Sequence, residues 1–306
     1  MNLDPQIATL IETLDAGFPP VHTMTGAQAR ATIRSRFVPP PEPEPVAEVR
    51  DQTIPGPGGV IPVRIYRPDQ AGALPILVYA HGGGFVFCDL DSHDGLCRDF
   101  ANRLAAVVVS VDYRRAPENP WPAAAYDVEA ATHWVADNAL QFGGDARRVA
   151  VGGDSAGGNL AAVTALMARD RDGPPIAAQL LIYPVIAADF DNESYHQFGK
   201  GFYNPKPALQ WYWDQYVPAP DDREHPYVSP LKANLEGLPP AVVVVAGHDP
   251  LRDEGLAYAD ALEAAGVVTA RCLFDGGIHG FMTMPMLDIA QQARQQACLE
   301  LGRLLD

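Results

Sequence analysis

The feature that most constrains the fold is an alternation of short apolar runs with helical stretches from Val46 onward. Most of these runs are continuous in valine, isoleucine and leucine, which is typical of strands buried on both faces of a parallel sheet. The pattern predicts eight strands, at 46–54, 60–67, 75–80, 107–111, 148–151, 178–183, 241–246 and 269–274. It predicts helices at 122–138, 156–168, 253–265 and 288–304. This alternation favours an α/β fold with a mostly parallel central sheet and helices on both faces.

Two segments fall outside this alternation. Residues 1–45 show helical apolar spacing at 3–16 and 26–36, followed by a proline-rich stretch at 38–45. We interpret that stretch as a stiff spacer before the sheet rather than as a ligand for a proline-reading domain. Residues 186–230 lack strand-like runs and are rich in aromatic side chains, and such long connections are commonly functional. We therefore expect a main domain over 46–306, with segments 1–45 and 186–230 forming a helical cap over the C-terminal edge of its sheet.

Charge and composition disfavour several classes of partner and location. The 306 residues carry a formal net charge of −16, whereas nucleic acids and anionic membranes require a basic face. No apolar run approaches the ~20 residues of a membrane-spanning helix, and the N-terminal residues lack the pattern of a signal peptide. The four cysteines have neither C-x-x-C spacing nor a zinc-type cluster with histidine. We expect a cytoplasmic protein with free thiols, no metal site and no nucleic-acid partner.

Residues that could take part in catalysis follow four of the predicted strands. This position matters because sites in such sheets form beyond the carboxyl ends of the strands. Ser155 is the centre of G-D-S-A-G at 153–157, where a sharp strand-to-helix turn would lift its side chain clear of the sheet. H-G-G-G-F at 81–85, Asp249 and His279 follow three other strands. Serine, acid and histidine thus occur in the chain order expected of α/β-hydrolases.

These residue types fit acyl transfer. A serine hydroxyl needs a base within hydrogen-bond reach before it can attack an ester. His279 would take the proton of Ser155 and return it to the leaving alcohol, while Asp249 would fix the imidazole tautomer. Backbone N–H groups of the glycine run at 82–84 and of Ala156 would stabilise the oxyanion, and one such donor typically contributes ~3–4 kcal/mol.

Other interpretations of the same residues are weaker. Nucleotide binding by the 152–157 turn is disfavoured, because Gly158-Asn159 stand where a P-loop has Lys-Ser/Thr. Asp253 is a rival acid, but Asp249 lies nearer the strand end, so Asp253 and Glu254 are expected to serve the first turn of the following helix. His81 is expected to brace the glycine loop. His248 is the reserve for the base, and five histidines fit no strand-end role: His22, His93, His133, His196 and His225.

Together these motifs resemble the hormone-sensitive-lipase family of esterases, the bacterial family IV carboxylesterases. The resemblance rests on H-G-G-G-F at 81–85, D-Y-R-R-A-P-E at 112–118, G-D-S-A-G-G-N at 153–159, Y-P at 183–184, D-P-L-R-D-E-G at 249–255 and H-G-F at 279–281. It implies an α/β-hydrolase fold with a helical cap and hydrolysis of short- to medium-chain acyl esters without a cofactor. It also implies a nucleophile at Ser155 with Asp249 and His279, and an oxyanion hole formed by Gly83, Gly84 and Ala156.

The surroundings of this site follow less directly from the resemblance. Glu118 matches a family position that supports the site from behind, and His81 and Asp154 are expected beside it. The expected pocket residues are Phe85, Phe202, Trp211 and Phe281. We expect a small-molecule ester as partner and a monomer or homodimer. Two alternatives stay open: an inactive ligand-binding module on the same fold, and an amidase or formamidase that uses the same triad.

Overall fold

An eight-stranded sheet organises the chain, of which the computed structural model describes residues 2–39 and 42–306. Within them the strands are β1 (Glu48–Gly56), β2 (Gly59–Arg67), β3 (Leu74–Ala80), β4 (Val107–Val111), β5 (Gly144–Asp154), β6 (Ala178–Ile182), β7 (Ala241–His248) and β8 (Thr269–Ile278). Their order across the sheet is β1-β2-β4-β3-β5-β6-β7-β8. Strand β2 pairs antiparallel with β1 and β4, and the remaining neighbours are parallel. The predicted α/β fold with a mostly parallel sheet is confirmed.

Helices connect and flank these strands. In the described ranges the α-helices are α1 (Pro5–Gly17), α2 (Gly26–Arg34), α3 (Asp94–Leu104), α4 (Ala123–Asn138), α5 (Ala156–Asp170), α6 (Glu193–Phe198), α7 (Lys206–Tyr216), α8 (Arg252–Ala264) and α9 (Asp288–Leu305). Helix α3 was not predicted, although its apolar residues at 96, 97, 100, 101 and 104 recur at helical spacing. Pro40 and Pro41 of the expected spacer lie outside the described residues.

The sheet separates two apolar cores, because successive side chains of a strand point to opposite faces. Ile76 and Val78 of β3 enter the core beneath α4 and α5. Their neighbours Leu77 and Tyr79 enter the core beneath α3 and α9. All five residues of β4 are buried, as the continuous valine-rich run predicts for a strand covered on both sides. The predicted helices on both faces are therefore confirmed.

The segments outside the alternation contact the loop that follows β3. The ring of Tyr216 in α7 stacks on Phe85 of this loop at a centroid distance of 3.7 Å. Arg30 of α2 donates to the Val86 carbonyl of the same loop at 3.0 Å. Helix α1 reaches the 186–230 insertion, because Asp15 Oδ1 accepts the Tyr203 N–H at 3.1 Å. Among the described helices, none is both long and apolar enough to cross a membrane.

Candidate active site

Ser155 joins β5 directly to α5 and has an unusual backbone conformation. Its φ of 55° and ψ of −117° belong to a region that residues with a side chain rarely adopt. Neighbouring backbone holds this geometry: the Ser155 N–H donates to the Ile182 carbonyl at 2.9 Å. The Ser155 carbonyl accepts N–H groups from Asn159 and Val185, both at 3.1 Å. The predicted sharp strand-to-helix turn is thus present and firmly fixed.

The glycines around Ser155 allow this turn to pack against the end of β3. A Cβ atom on Gly157 would lie 1.9 Å from the Ala80 carbonyl oxygen. A Cβ atom on Gly153 would lie 2.3 Å from the Gly157 carbonyl oxygen. Both obstacles are backbone atoms, which cannot move aside as a flexible side chain can. Glycine at 153 and 157 therefore brings Ser155 next to the loop that follows β3.

Ser155, His279 and Asp249 form one hydrogen-bonded line. His279 Nε2 lies 2.9 Å from Ser155 Oγ, and His279 Nδ1 lies 2.7 Å from Asp249 Oδ2. The other oxygen of Asp249 accepts the Leu251 N–H at 2.9 Å. Because a carboxylate only accepts, Nδ1 carries the imidazole proton, and Nε2 faces the Ser155 hydroxyl as an acceptor. The exposed fractions of Asp249, His279 and Ser155 are 0%, 7% and 8%, so the line is shielded from water along its length.

Backbone donors lie at the same edge of the sheet. The Gly83 carbonyl accepts N–H groups from Val86 and Phe87, both at 3.0 Å, which curls the loop after β3 into a tight turn. Gly83 and Gly84 have φ values of 116° and 57°. Among the described residues, we find no protein acceptor for the N–H groups of Gly83, Gly84 and Ala156. An oxyanion hole requires N–H groups that are not already bonded to a protein acceptor, and these three meet that condition.

Comparison with known proteins decides the family. A family model described as the alpha/beta hydrolase fold matches residues 77–283. The chain belongs to this family. It is 40% identical to carboxylesterase NlhH of Mycobacterium tuberculosis over 293 residues, which cover 94% of this chain and 91% of NlhH. It is 36% identical to ethyl acetate hydrolase of Pseudomonas putida over 298 residues, which cover 93% of both chains.

A solved structure extends the likeness to the whole alpha/beta hydrolase fold of this chain. The thermostable esterase from Pseudomonas putida ECU1011 superposes with a TM-score of 0.93 at 37% identity. The match covers 100% of this chain and 98% of that esterase. The resemblance to the hormone-sensitive-lipase, family IV, branch of the alpha/beta hydrolases is confirmed.

His81 lies where a brace for the glycine loop was expected in this hydrolase. Its ring stacks on Tyr113 at 4.3 Å, and Nδ1 donates to the Gly82 carbonyl at 2.7 Å. The Tyr113 hydroxyl donates in turn to the His81 carbonyl at 2.7 Å. Burial, reinforced by the nearby His93, lowers the pKa of His81 to about 3. His81 is therefore a neutral packing and hydrogen-bonding residue at ordinary pH.

This neutral, buried histidine should make stability fall in acid. The ordinary pKa of 6.5 applies after unfolding, so between pH 6.5 and about pH 3 the unfolded chain binds one more proton than the folded chain. We expect His81 to contribute a loss of about 1.4 kcal/mol per pH unit as the pH falls through this window. The measurement is urea unfolding of the wild type and of His81→Asn, whose amide can still donate to Gly82. The difference in unfolding free energy between the two should shrink below about pH 6.5; a constant difference would contradict the expectation.

Glu118 contacts Arg30 at the edge of this site. It is exposed and forms an ion pair with Arg30 of α2. Arg30 also donates to the carbonyls of Val86 and Ala116, at 3.0 and 2.9 Å. Glu118 thus steadies an arginine that holds the backbone beyond the glycine loop. Arg30 was not singled out from the sequence, because no local motif marks it.

The four expected pocket residues divide into two pairs. Phe85 and Phe281 are only 1% and 0% exposed. Phe85 stacks on Tyr216, and Phe281 packs against Phe274 at 5.7 Å, so the expectation that these two line a pocket is corrected. They lie next to the site in sequence, but their rings turn into the cores. Phe202 and Trp211 are partly exposed and stay candidates for the pocket wall.

His248, the alternative candidate for the catalytic base, has a different environment from His279. His248 Nδ1 lies 2.8 Å from the Asp275 carbonyl, and its ring stacks on Phe202 at 5.7 Å. His279 is the histidine that contacts both Ser155 and Asp249. The structure therefore places His279, and not His248, in the hydrogen-bonded line.

Asp253 and Glu254 lie in the first turn of α8, as expected, and they also contact the 186–230 insertion. Asp253 Oδ2 accepts the Ser194 N–H at 2.8 Å, and Glu254 Oε1 accepts the Ile186 N–H at 2.7 Å. These two bonds go to the 186–230 insertion, while Asp253 Oδ1 also accepts from the Arg252 side chain at the start of α8. These carboxylates fasten the insertion to the segment that carries Asp249.

Tyr183 is a site residue that the sequence indicated only as part of a family motif. It directly follows β6, and its ring lies 5.0 Å from that of His279. The Tyr183 N–H donates to the Val244 carbonyl at 2.7 Å, which holds the backbone of Tyr183 at this strand end. Its position just beyond a strand end was the available signal. Within residues 2–39 and 42–306, no three histidine, cysteine, aspartate or glutamate side chains converge as metal ligands.

Proposed function

We propose that this chain is a serine carboxylesterase that hydrolyses short- to medium-chain acyl esters through a covalent acyl-enzyme on Ser155. The observation that carries the proposal is the buried line from Asp249 through His279 to Ser155, with its 2.7 and 2.9 Å contacts. Relatives named carboxylesterase and ethyl acetate hydrolase support the same reaction class.

The proposed reaction follows from the order of donors and acceptors. His279 Nε2 takes the proton of Ser155 as Oγ bonds to the acyl carbon, and the negative charge moves to the former carbonyl oxygen. Gly83, Gly84 and Ala156 donate to that oxygen. His279 then protonates the leaving alcohol, and the carbon–oxygen bond to it breaks. A water molecule, deprotonated by His279, attacks the acyl carbon. The bond from this carbon to Ser155 Oγ then breaks, His279 returns the proton to Oγ, and the carboxylic acid leaves.

The proposal includes an arrangement of segments. Residues 46–306 form the catalytic domain, and residues 1–45 together with the 186–230 insertion act as a cap. Phe202 and Trp211 are the partly exposed aromatic residues of that insertion that we assign to the pocket wall. The name of the Pseudomonas putida relative, an ethyl acetate hydrolase, favours a short acyl group. We further propose a cytoplasmic monomer or homodimer that needs no cofactor.

A series of p-nitrophenyl esters from acetate to palmitate tests the proposal, with Ser155→Ala as the blank. We expect turnover to be greatest on short and medium acyl chains. The matched p-nitroanilide of the best acyl group should be hydrolysed far more slowly, because an amide is the harder bond to break. Faster hydrolysis of the anilide would instead identify an amidase, and a maximum at palmitate a lipase. Absence of turnover on every ester would favour the inactive binding module.

A further inference from the structure

His93 and Asp154 form a buried polar pair that the proposed reaction does not use. Their exposed fractions are 5% and 4%. His93 Nε2 lies 3.2 Å from Asp154 Oδ1. His93 immediately precedes α3, and Asp154 ends β5 immediately before Ser155. The pair therefore adjoins the proposed nucleophile along the chain, although His93 was predicted to have no role there.

Asp154 ties the glycine loop to the turn that carries Ser155. Its Oδ1 atom accepts the Gly82 N–H at 2.9 Å and the Tyr79 hydroxyl at 2.7 Å. The approach is close, because a Cβ atom on Gly82 would lie 2.4 Å from Asp154 Oδ2. Gly82 precedes the two glycines whose N–H groups are the proposed oxyanion donors. One carboxylate thus connects the donors to the residue next to the nucleophile.

The other side of the His93 ring has a defined partner. Nδ1 lies 3.0 Å from Ser92 Oγ. That hydroxyl donates to the Asp89 carbonyl at 2.8 Å and accepts the Asp89 N–H at 2.9 Å. Since the hydroxyl proton is already used, Ser92 Oγ accepts from His93 Nδ1, while the Asp154 carboxylate accepts from Nε2. The His93 ring therefore connects Ser92 to Asp154.

The charge of Asp154 responds to this environment. Burial alone raises the pKa of Asp154 and is the largest single influence on it. The pKa nevertheless lies below its ordinary value, because the charge and hydrogen bond of His93, the Tyr79 hydroxyl and the Gly82 N–H together outweigh burial. A buried carboxylate that stays ionised accepts hydrogen bonds more strongly than a neutral carboxyl group.

We propose that His93 is a positioning residue of the esterase reaction, which holds Asp154 so that the loop at 82–84 keeps its distance from Ser155. The inference rests on the proposed function. It predicts that His93 affects stabilisation of the oxyanion more than binding of the ester. Small displacements of groups that contact a transition state can lower rates by about 100-fold.

Thionoesters separate this role from simple destabilisation. Their C=S sulfur is a poor hydrogen-bond acceptor, so their hydrolysis depends less on oxyanion donors than that of the matched oxoester. We expect His93→Ala to lower kcat on the oxoester about 100-fold, with a much smaller change in KM. The ratio of oxoester to thionoester rates should fall about tenfold. His93→Gln, which keeps one N–H donor, should retain more activity and an intermediate ratio.

Leu96→Ala is the matched control, because Leu96 is a buried residue of α3 that packs in the core beneath the sheet. It should lower the unfolding free energy and leave the rate ratio at the wild-type value. An unchanged ratio in His93→Gln, or in a folded His93→Ala, would overturn the inference while ester hydrolysis by the wild type still supported the proposed function. Absence of Ser155-dependent turnover in the wild type would overturn the proposed function and this inference with it.

Discussion

Ser155→Ala should lower kcat on the preferred ester by at least about 10⁴-fold while the fold is retained. The variant loses the oxygen that attacks the acyl carbon and the hydroxyl that contacts His279 Nε2 at 2.9 Å. The backbone bonds that fix this turn involve only the N–H and carbonyl of residue 155, so alanine can make them. The measurement combines steady-state kinetics on p-nitrophenyl esters with thermal unfolding.

Ser110→Ala is the matched control for this prediction. Ser110 is a buried serine of β4, whose other residues are all valine. This variant should keep most of the ester turnover. If Ser155→Ala hydrolysed esters as fast as Ser110→Ala does, the assignment of the nucleophile would be wrong.

The next largest effect is expected for Asp249→Asn, about 10⁴-fold in kcat. Asp249 accepts from two sides, the Leu251 N–H at 2.9 Å and His279 Nδ1 at 2.7 Å. An asparagine whose oxygen keeps the bond to Leu251 must present its NH₂ group to His279. Nδ1 then accepts, the imidazole proton moves to Nε2, and His279 cannot take the proton of Ser155.

Asp253→Asn provides the comparison for Asp249→Asn, because both aspartates were candidates for the acid. Asp253 accepts from the Ser194 backbone and lies beside the Arg252 guanidinium. Its replacement should lower kcat less than about tenfold, since it contacts no member of the proposed triad. The measurement is kcat of both variants on one ester at one pH. Equal losses of kcat would mean that Asp249 cannot be distinguished from Asp253 as the acid.

The sheet could be predicted because the sequence pattern of a strand lies within a short stretch of the chain. Most strands are runs of apolar residues long enough to be recognised by themselves, and Ser155, Asp249 and His279 each lie near the end of such a run. Strand β5 begins at Gly144, earlier than predicted, because Gly144 pairs with Leu74. The register of this pairing is irregular, and no apolar run in the sequence marks it.

The pairs that support the site were not predictable in the same way. His93 and Asp154 are 61 residues apart, and their contact depends on how the loop after β3 returns to the sheet. Arg30 and the Ala116 carbonyl to which it donates are 86 residues apart, so this contact also depends on the tertiary fold. Phe85 and Phe281 were assigned to the pocket because they lie close to Gly84 and His279 in the sequence. Sequence proximity does not determine where a ring points.

Arg30 links the first helical segment to the interior in a way that matters for chimeric proteins. Its guanidinium group donates to two main-chain oxygens and forms an ion pair with the carboxylate of Glu118. Shortening the amino-terminal segment would leave those oxygens without their donor. Exchange of that segment between relatives therefore has to preserve an arginine at this place, so the stretch before the sheet cannot be treated as a detachable module.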